Sequence, residues 1–487
     1  MPRRTLLTTA ERRALLAFPS TEDELIRHHT RSAADPVVIR QHRGGQHRLG
    51  LAVPLCALRY PGGALSPDAQ APAALRAFVA RQLRGDRALW SHDAPRAETR
   101  REHLLERQTW LALTPFGAAH FRHFVVHLTD LARQTDQGIV LAHALLAALR
   151  HQHVLVPAVE IIERVCAQAR TQGTRKRYAA LTATLSVTQQ QRLDNLLTLR
   201  EHATTRSLAW LRQPAGPPNA KHVLIHSERL RAIRGLELPE GLERSVHQHR
   251  LLKLARAGGQ MTAQHVRDRE PLRRYATLIA VVLDLRSTLL DAIIDRHDRI
   301  LGTLFARAKR HHVEHFQASG KSINAKLRIY SRIGRALLEA KQTGNDPFAA
   351  IAAIVSWAAF TAIVTAAEKL AEPDDFDYLP LVSEGFTQLR RYTPALLDAR
   401  ELKAAPAARD LLAGVNTVRA MNQHQLRKVP NNAPTSFVRK RWERVVYTDD
   451  GLDRRFYERC VLSELQKALR SGDIWAQGSR QFQDFEE

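Results

Sequence analysis

"LRRYATLIAVVLDLRSTLLDAIIDRHDRILGTLFARAKRHHVEHF", residues 272–316, contains no proline and a single glycine, Gly302. Its apolar residues Leu278, Val282, Leu285, Leu289, Ile293, Ile300 and Leu304 recur at helical spacing, which predicts one amphipathic helix. At about 1.5 Å per residue it extends roughly 60 Å. A helix of that length is expected to bridge domains or to pack against a partner chain. The expected fold is therefore all-α: several helical domains, helix-turn-helix-like modules and one long bridging helix.

The flanking sequence fits. On the N-terminal side, Thr21 and Glu24 form a capping-box pattern, Pro36 stands where a second helix begins, and Arg43-Gly44-Gly45 reads as a turn. "QHRLGLAVPLCALRYPGG", residues 46–63, is a third helical segment, with Pro54 expected to kink it or to mark its start. Three short helices with a glycine turn before the last resemble a helix-turn-helix module. "RQPAGPPNA", residues 212–220, interrupts the helical pattern with three prolines. "FAAIAAIVSWAAFTAIVTAA", residues 348–367, has no charged residue, but nine of its residues are alanine and three are Ser or Thr. It is read as a buried core helix opened by Asn345-Asp346-Pro347, not as a membrane span.

Charge narrows the function. The net formal charge is +24 and the pI about 10.7, so the surface field attracts polyanions, nucleic acid foremost. Residues 296–335 hold a third of the excess, with ten Lys or Arg against two Asp or Glu and four histidines. Such a surface suits a phosphate backbone, where each neutralised phosphate releases counterions. The expected DNA contacts are Arg40, Arg43, His47, Arg48 and Arg59 in the first module, Arg212 and Lys221 beside the 212–220 linker, and Arg307, Lys309, Arg310, Lys321, Lys326 and Arg328 in the long basic region. Arg332 and Arg335 continue that surface. Cys56, Cys166 and Cys460 are far apart with no CxxC pair, which fits a reducing cytoplasm and excludes a disulfide or zinc-ribbon framework. Glu11, Arg12 and Arg13 interrupt any signal-peptide core.

Catalytic patterns are weak. "HHVEH", residues 311–315, has the H-x-x-E-H spacing of a zinc helix, yet lies in a basic setting that repels a dication. "SGKS", residues 319–322, lacks the earlier glycine and the strand of a phosphate-binding loop. "EPDDFD", residues 372–377, and "DDGLD", residues 449–453, are carboxylate clusters whose ordinary roles are turns and helix caps. If either held metal, the chain would be a complete metal-dependent nuclease; the residues otherwise supply no reaction, no cofactor and no small-molecule substrate. A third reading is a helical dimerisation protein.

Longer strings carry a resemblance. "MPRRTLLTTAERRALLAFPSTEDELIRHHT" (1–30), "RLGLAVPLCALRYPGGALSP" (48–67), "VHQHRLLKLARAGGQMTAQHVRDREPLRRYATLIAVVLDL" (246–285) and "NNAPTSFVRKRWERVVYTDDGLDRRFYERCVLSELQKALRSGDIWAQGSRQFQDFEE" (431–487) resemble, in order, transposases of the Tn3 family. The resemblance implies DNA transposition with double-stranded terminal inverted repeats as partner, a possible homodimer, and residence in the bacterial cytoplasm at the nucleoid. It implies domains over 1–156 and 157–270 that bind DNA, 271–345 for DNA binding and dimerisation, and 346–487 leading to a ribonuclease-H-like catalytic domain. That domain's two aspartates and glutamate, with their magnesium, have no matching position here. No catalytic or metal residue is carried over, and the chain is expected to bind transposon ends without cutting them, or to block an intact transposase.

Overall fold

The computed structural model describes residues 6–65, 71–86, 88, 97–198, 207–214, 216–371, 377–399 and 401–484. The chain opens with α1 (Thr9–Leu15), α2 (Glu22–His29), α3 (Asp35–Gln41), α4 (Gly45–Arg59), α5 (Ala73–Leu83), α6 (Ala97–Trp110), α7 (Ala118–Gln134), α8 (Gly138–His151) and α9 (Val159–Thr182). It continues with α10 (Val187–Asn195), α11 (Leu208–Leu211), α12 (Ala220–Arg234), α13 (Gln248–Gly259), α14 (Ala263–Arg267), α15 (Pro271–Ala318) and α16 (Gly320–Thr343). It closes with α17 (Pro347–Ala352), α18 (Trp357–Leu370), α19 (Phe386–Asp398), α20 (Arg409–Gln423), α21 (Lys440–Val446) and α22 (Arg454–Ser471). Among the described residues, strands are confined to two antiparallel pairs: β1 (Leu402–Ala404) with β4 (Ile474–Ala476), and β2 (Tyr447–Thr448) with β3 (Gly451–Leu452). The all-α expectation holds.

Two compact units are each assembled from separate stretches of chain. The first is Met1–Leu185, Pro239–Gly258 and Asp268–Ala280; the second is Ser186–Leu238, Gly259–Arg267 and Val281–Glu487. In the first, α7, α8 and α9 pack around Phe124, Leu128, Leu141, Leu145, Ile162 and Val165, all essentially buried. Its N-terminal helices have their own core of Leu25, Ile39, Leu51, Val53, Leu75 and Val79. The caps read from sequence are present. Thr21 accepts from the Glu24 N–H in a full capping box, and Thr8 does the same with Glu11.

Pro54 does not break its helix. α4 runs uninterrupted from Gly45 to Arg59. Leu49 to Leu58 are buried without exception, so packing on every side holds the helix where the proline removes one backbone hydrogen bond. In the second unit the core gathers α12, α15 and α19–α22 around Ile293, Leu304, Leu389, Tyr392, Trp442, Tyr457 and Cys460.

The long helix is confirmed at 48 residues, about 72 Å at the standard rise. Leu285 of its apolar stripe is half-buried. Leu278, Val282, Leu289, Ile293, Ile300 and Leu304 are all at most 5% exposed within the monomer.

The stretch 348–367 departs from expectation. It is two helices, α17 and α18, separated at Ala353 to Ser356, and no residue of Trp357–Glu368 is buried. Asp346 and Pro347 do open it, Asp346 capping α17. Ser356 then caps α18 through the Ala359 N–H. Each alanine has little area to bury, and the larger Phe348 and Trp357 remain 66% and 45% exposed. Its larger side chains pack locally: Trp357 meets Phe360 and Phe348, and Phe360 meets Tyr330 of α16 edge-on. Among the described residues, no helix is long and apolar enough to cross a membrane.

Candidate nucleic-acid interface

In the first unit, the α3–α4 corner is built by Gly44, whose φ of 86° permits the turn. Arg40, Arg43 and Arg48 are exposed around it and His47 is half-buried. Arg48 Nε donates to the His42 carbonyl at 3.0 Å. Because Leu49 to Leu58 are buried, α4 presents its first turn, not a full face, to any ligand.

Arg59 lies at the other end and is engaged internally. Its two terminal nitrogens grip the Asp35 carboxylate, one at 2.6 Å, and Asp35 also accepts from the Ser32 N–H at 2.6 Å. Burial alone would raise the Asp35 pKa; the Arg59 bonds and the Ser32 N–H outweigh it and hold the group below its ordinary value. Arg212 is likewise committed, donating to the Met261 carbonyl at 2.7 Å, with burial lowering its pKa. These two arginines tie structure together, whereas Lys221 is exposed.

The second unit carries the larger basic surface. Arg307, Lys309, Arg310, Lys321 and Arg328 are exposed and Lys326 half-buried. On α16, Lys321, Arg328, Arg332 and Arg335 fall within about 60° of one another at 100° per residue. All four are exposed, and among the described residues none is paired with a carboxylate. The opposite side of α16 buries Ile333 and Ala340 and places Tyr330 against Phe360. Packing thus fixes which side of the helix is open. Along the axis the four cations span about 21 Å, long enough to follow several phosphates at about 3.4 Å of duplex axis per strand.

The catalytic look-alikes resolve into local structure. Asp449 and Asp450 sit in the β2–β3 hairpin turn, where Gly451 has a φ of 110°. Asp453 is the N-cap of α22, accepting from the Phe456 N–H at 2.9 Å. In the second cluster, residues 372–376 lie outside the described residues; Asp377 pairs with Arg441 at 2.9 Å. Lys321 and Ser322 of the "SGKS" string sit at the start of α16 with no strand before them. His311 and His315 are exposed on α15. Among the described residues, no three His, Cys, Asp or Glu side chains gather as a metal site.

A second cationic place was not apparent from sequence. It is a cleft in the first unit at α7 and α9, lined by Asp130, Arg133, Gln134, Arg177, Ser245, Val246 and His247. The only linear hint is Gly173 inside a helical pattern, a mark of close packing.

Residues 6–169 match a family model described as a domain of unknown function (DUF4158). The chain is 52% identical over all its 487 residues to the transposase for transposon Tn3926 of Escherichia coli. It is also 52% identical to the transposase for transposon Tn501 of Pseudomonas aeruginosa, again over its full length. With the transposase for transposon Tn1546 of Enterococcus faecium it shares 33% identity across 99% of the chain. In each case the match covers 49% of the relative, so the chain spans about half the length of the transposases it resembles.

Proposed function

We propose that this chain is a DNA-binding part of a Tn3-like transposase, which recognises the terminal inverted repeats of its transposon and contributes no cleavage chemistry of its own. The observation that carries the reading is the similarity to transposases along the entire chain. The unpaired cations of α16 support it, with Arg307, Lys309, Arg310, Lys326 and the α3–α4 corner adding further contacts. Arg59 is left out of the interface because the Asp35 carboxylate already pairs with its guanidinium. Pairing of two copies on two transposon ends and action at the nucleoid belong to the same reading.

The deciding measurement is duplex binding over a range of salt, with an inverted-repeat duplex and a scrambled one. Tighter binding to the repeat, with a steep salt dependence, is expected. Equal binding to both duplexes removes the recognition role. Cutting in magnesium that is lost on replacing Asp449, Asp450 and Asp453 would instead favour a nuclease.

A further inference from the structure

Arg177 stands nine-tenths buried, 8% exposed, with no carboxylate in ion-pair contact among the described residues. Its terminal nitrogens donate to the Thr174 hydroxyl at 2.7 Å and, at 3.4 Å, to the Arg133 carbonyl in the last turn of α7. Burying a guanidinium without an anion is costly. The cost is visible in its pKa, lowered to about 10 by burial first and then by Arg250.

Close helix packing puts it there. A Cβ at Gly173 would meet the Ala132 backbone carbon at 2.9 Å, so only glycine lets α9 lie this near α7. Arg177 follows one turn later, under the end of α7. The cleft beside it measures about 220 Å³, well above the roughly 10–15 Å³ needed to admit one water.

The surroundings are cationic. Arg133 lines the cleft and is held only loosely by Asp130 at 3.7 Å, a carboxylate whose side chain is 74% exposed. Lys176 reaches the same carboxylate at 3.9 Å. Arg250 and Lys253 both engage Asp136, at 2.7 and 2.5 Å. In the cleft wall itself the two guanidinium groups of Arg133 and Arg177 outnumber the single carboxylate of Asp130. Gln134, Ser245 and His247 add polar atoms to the wall.

We propose that this cleft holds a phosphate group, with Arg177 and Arg133 as its cationic ligands. The group is a backbone phosphodiester of bound DNA or a free phosphate; only the first source rests on the proposed function. Arginine suits either, since its planar fork donates two parallel hydrogen bonds to phosphate oxygens. The site is fixed by the α7–α9 contact, so it would act as a rigid register point, in contrast to the open stripe of α16.

Two variants of the full chain, Arg177→Met and Arg133→Gln, test it with two probes. The exposed Arg133 keeps the test valid should the buried substitution disturb folding. With a mixed-sequence duplex, each variant is expected to lower affinity about tenfold and to reduce the slope of log K against log salt by about one. That result assigns the site to DNA. With inorganic phosphate, the ³¹P line broadened by the wild-type protein is expected to sharpen in both variants. Sharpening with an unchanged duplex slope assigns the site to free phosphate. If the wild type ignores duplexes, the proposed function falls, while the ³¹P measurement still decides the cleft. A folded Arg133→Gln protein that matches the wild type with both probes overturns the proposal.

Discussion

Asp35 and Arg59 meet although 24 positions separate them. Asp35 is fully buried, so truncating Arg59 strands a carboxylate in the core. Arg59→Ala is expected to destabilise the N-terminal helices by about 3 kcal/mol, read as an earlier urea transition. Asp35→Ala combined with Arg59→Ala should cost less than the two single changes added together. A DNA-contact role for Arg59 would instead leave stability intact and lower only duplex affinity.

Two histidines supply a pH test. His29 and His226 are each 1% exposed, and neither ring nitrogen has a hydrogen-bond partner. Burial, reinforced by His28 and Arg59, lowers the His29 pKa to about 4. Burial, with Arg296, Arg229 and His222, lowers His226 to about 4 as well. The unfolded chain binds a proton near pH 6.5 and the folded chain only near 4, so stability falls as pH drops through that window. By pH 4 each histidine accounts for about 3 kcal/mol. Thermal melting at pH 7, 5.5 and 4.5 should show a steady decline. His226→Leu should flatten it, and an unchanged slope in that variant would assign the decline elsewhere.

At the scale of elements, the α7–α9 pair depends on one absent side chain. Gly173→Val would force a Cβ and two methyl groups into Ala132, and is expected to cost about 2–3 kcal/mol through overpacking. A melting temperature within a degree of wild type would mean the helices can separate freely. On α16 the expectation is the reverse. Replacing Lys321, Arg328, Arg332 or Arg335 by Gln should leave the melt unchanged, since exposed unpaired cations contribute little to stability. Each replacement should take about one unit from the salt slope of duplex binding.

For the whole molecule, the arrangement of segments matters more than their order. The first unit includes 239–258, far along the chain from α7–α9. Through it, Arg250 and Lys253 hold Asp136, whose pKa falls to about 2 because these bonds outweigh burial. A fragment ending at residue 185 lacks both cations. It should melt several degrees below the first transition of the full chain, and adding NaCl should narrow the difference only slightly because Arg250 is largely shielded from solvent. Equal melting would show that α1–α9 need nothing from the later segment.

Local chemistry was enough to read much of this protein from its residues. The unbroken 3.6-residue periodicity of 272–316 fixed α15, and Thr21, Asp346 and Gly44 marked caps and a turn because those preferences act within a few residues. The surplus of Lys and Arg on 296–335 likewise needs no fold to be seen. What tertiary structure decided was which groups are free. Arg59 and Arg212 look no different from Arg40 in the sequence, yet long-range partners bind them; α4 tolerates Pro54 because it is packed all round; the alanine-rich 348–367 breaks where Ser356 caps a new helix, and no residue of Trp357–Glu368 is buried. Arg177 became a candidate ligand only when Gly173 brought two helices together, and contacts between residues tens of positions apart leave no periodic trace in a linear chain.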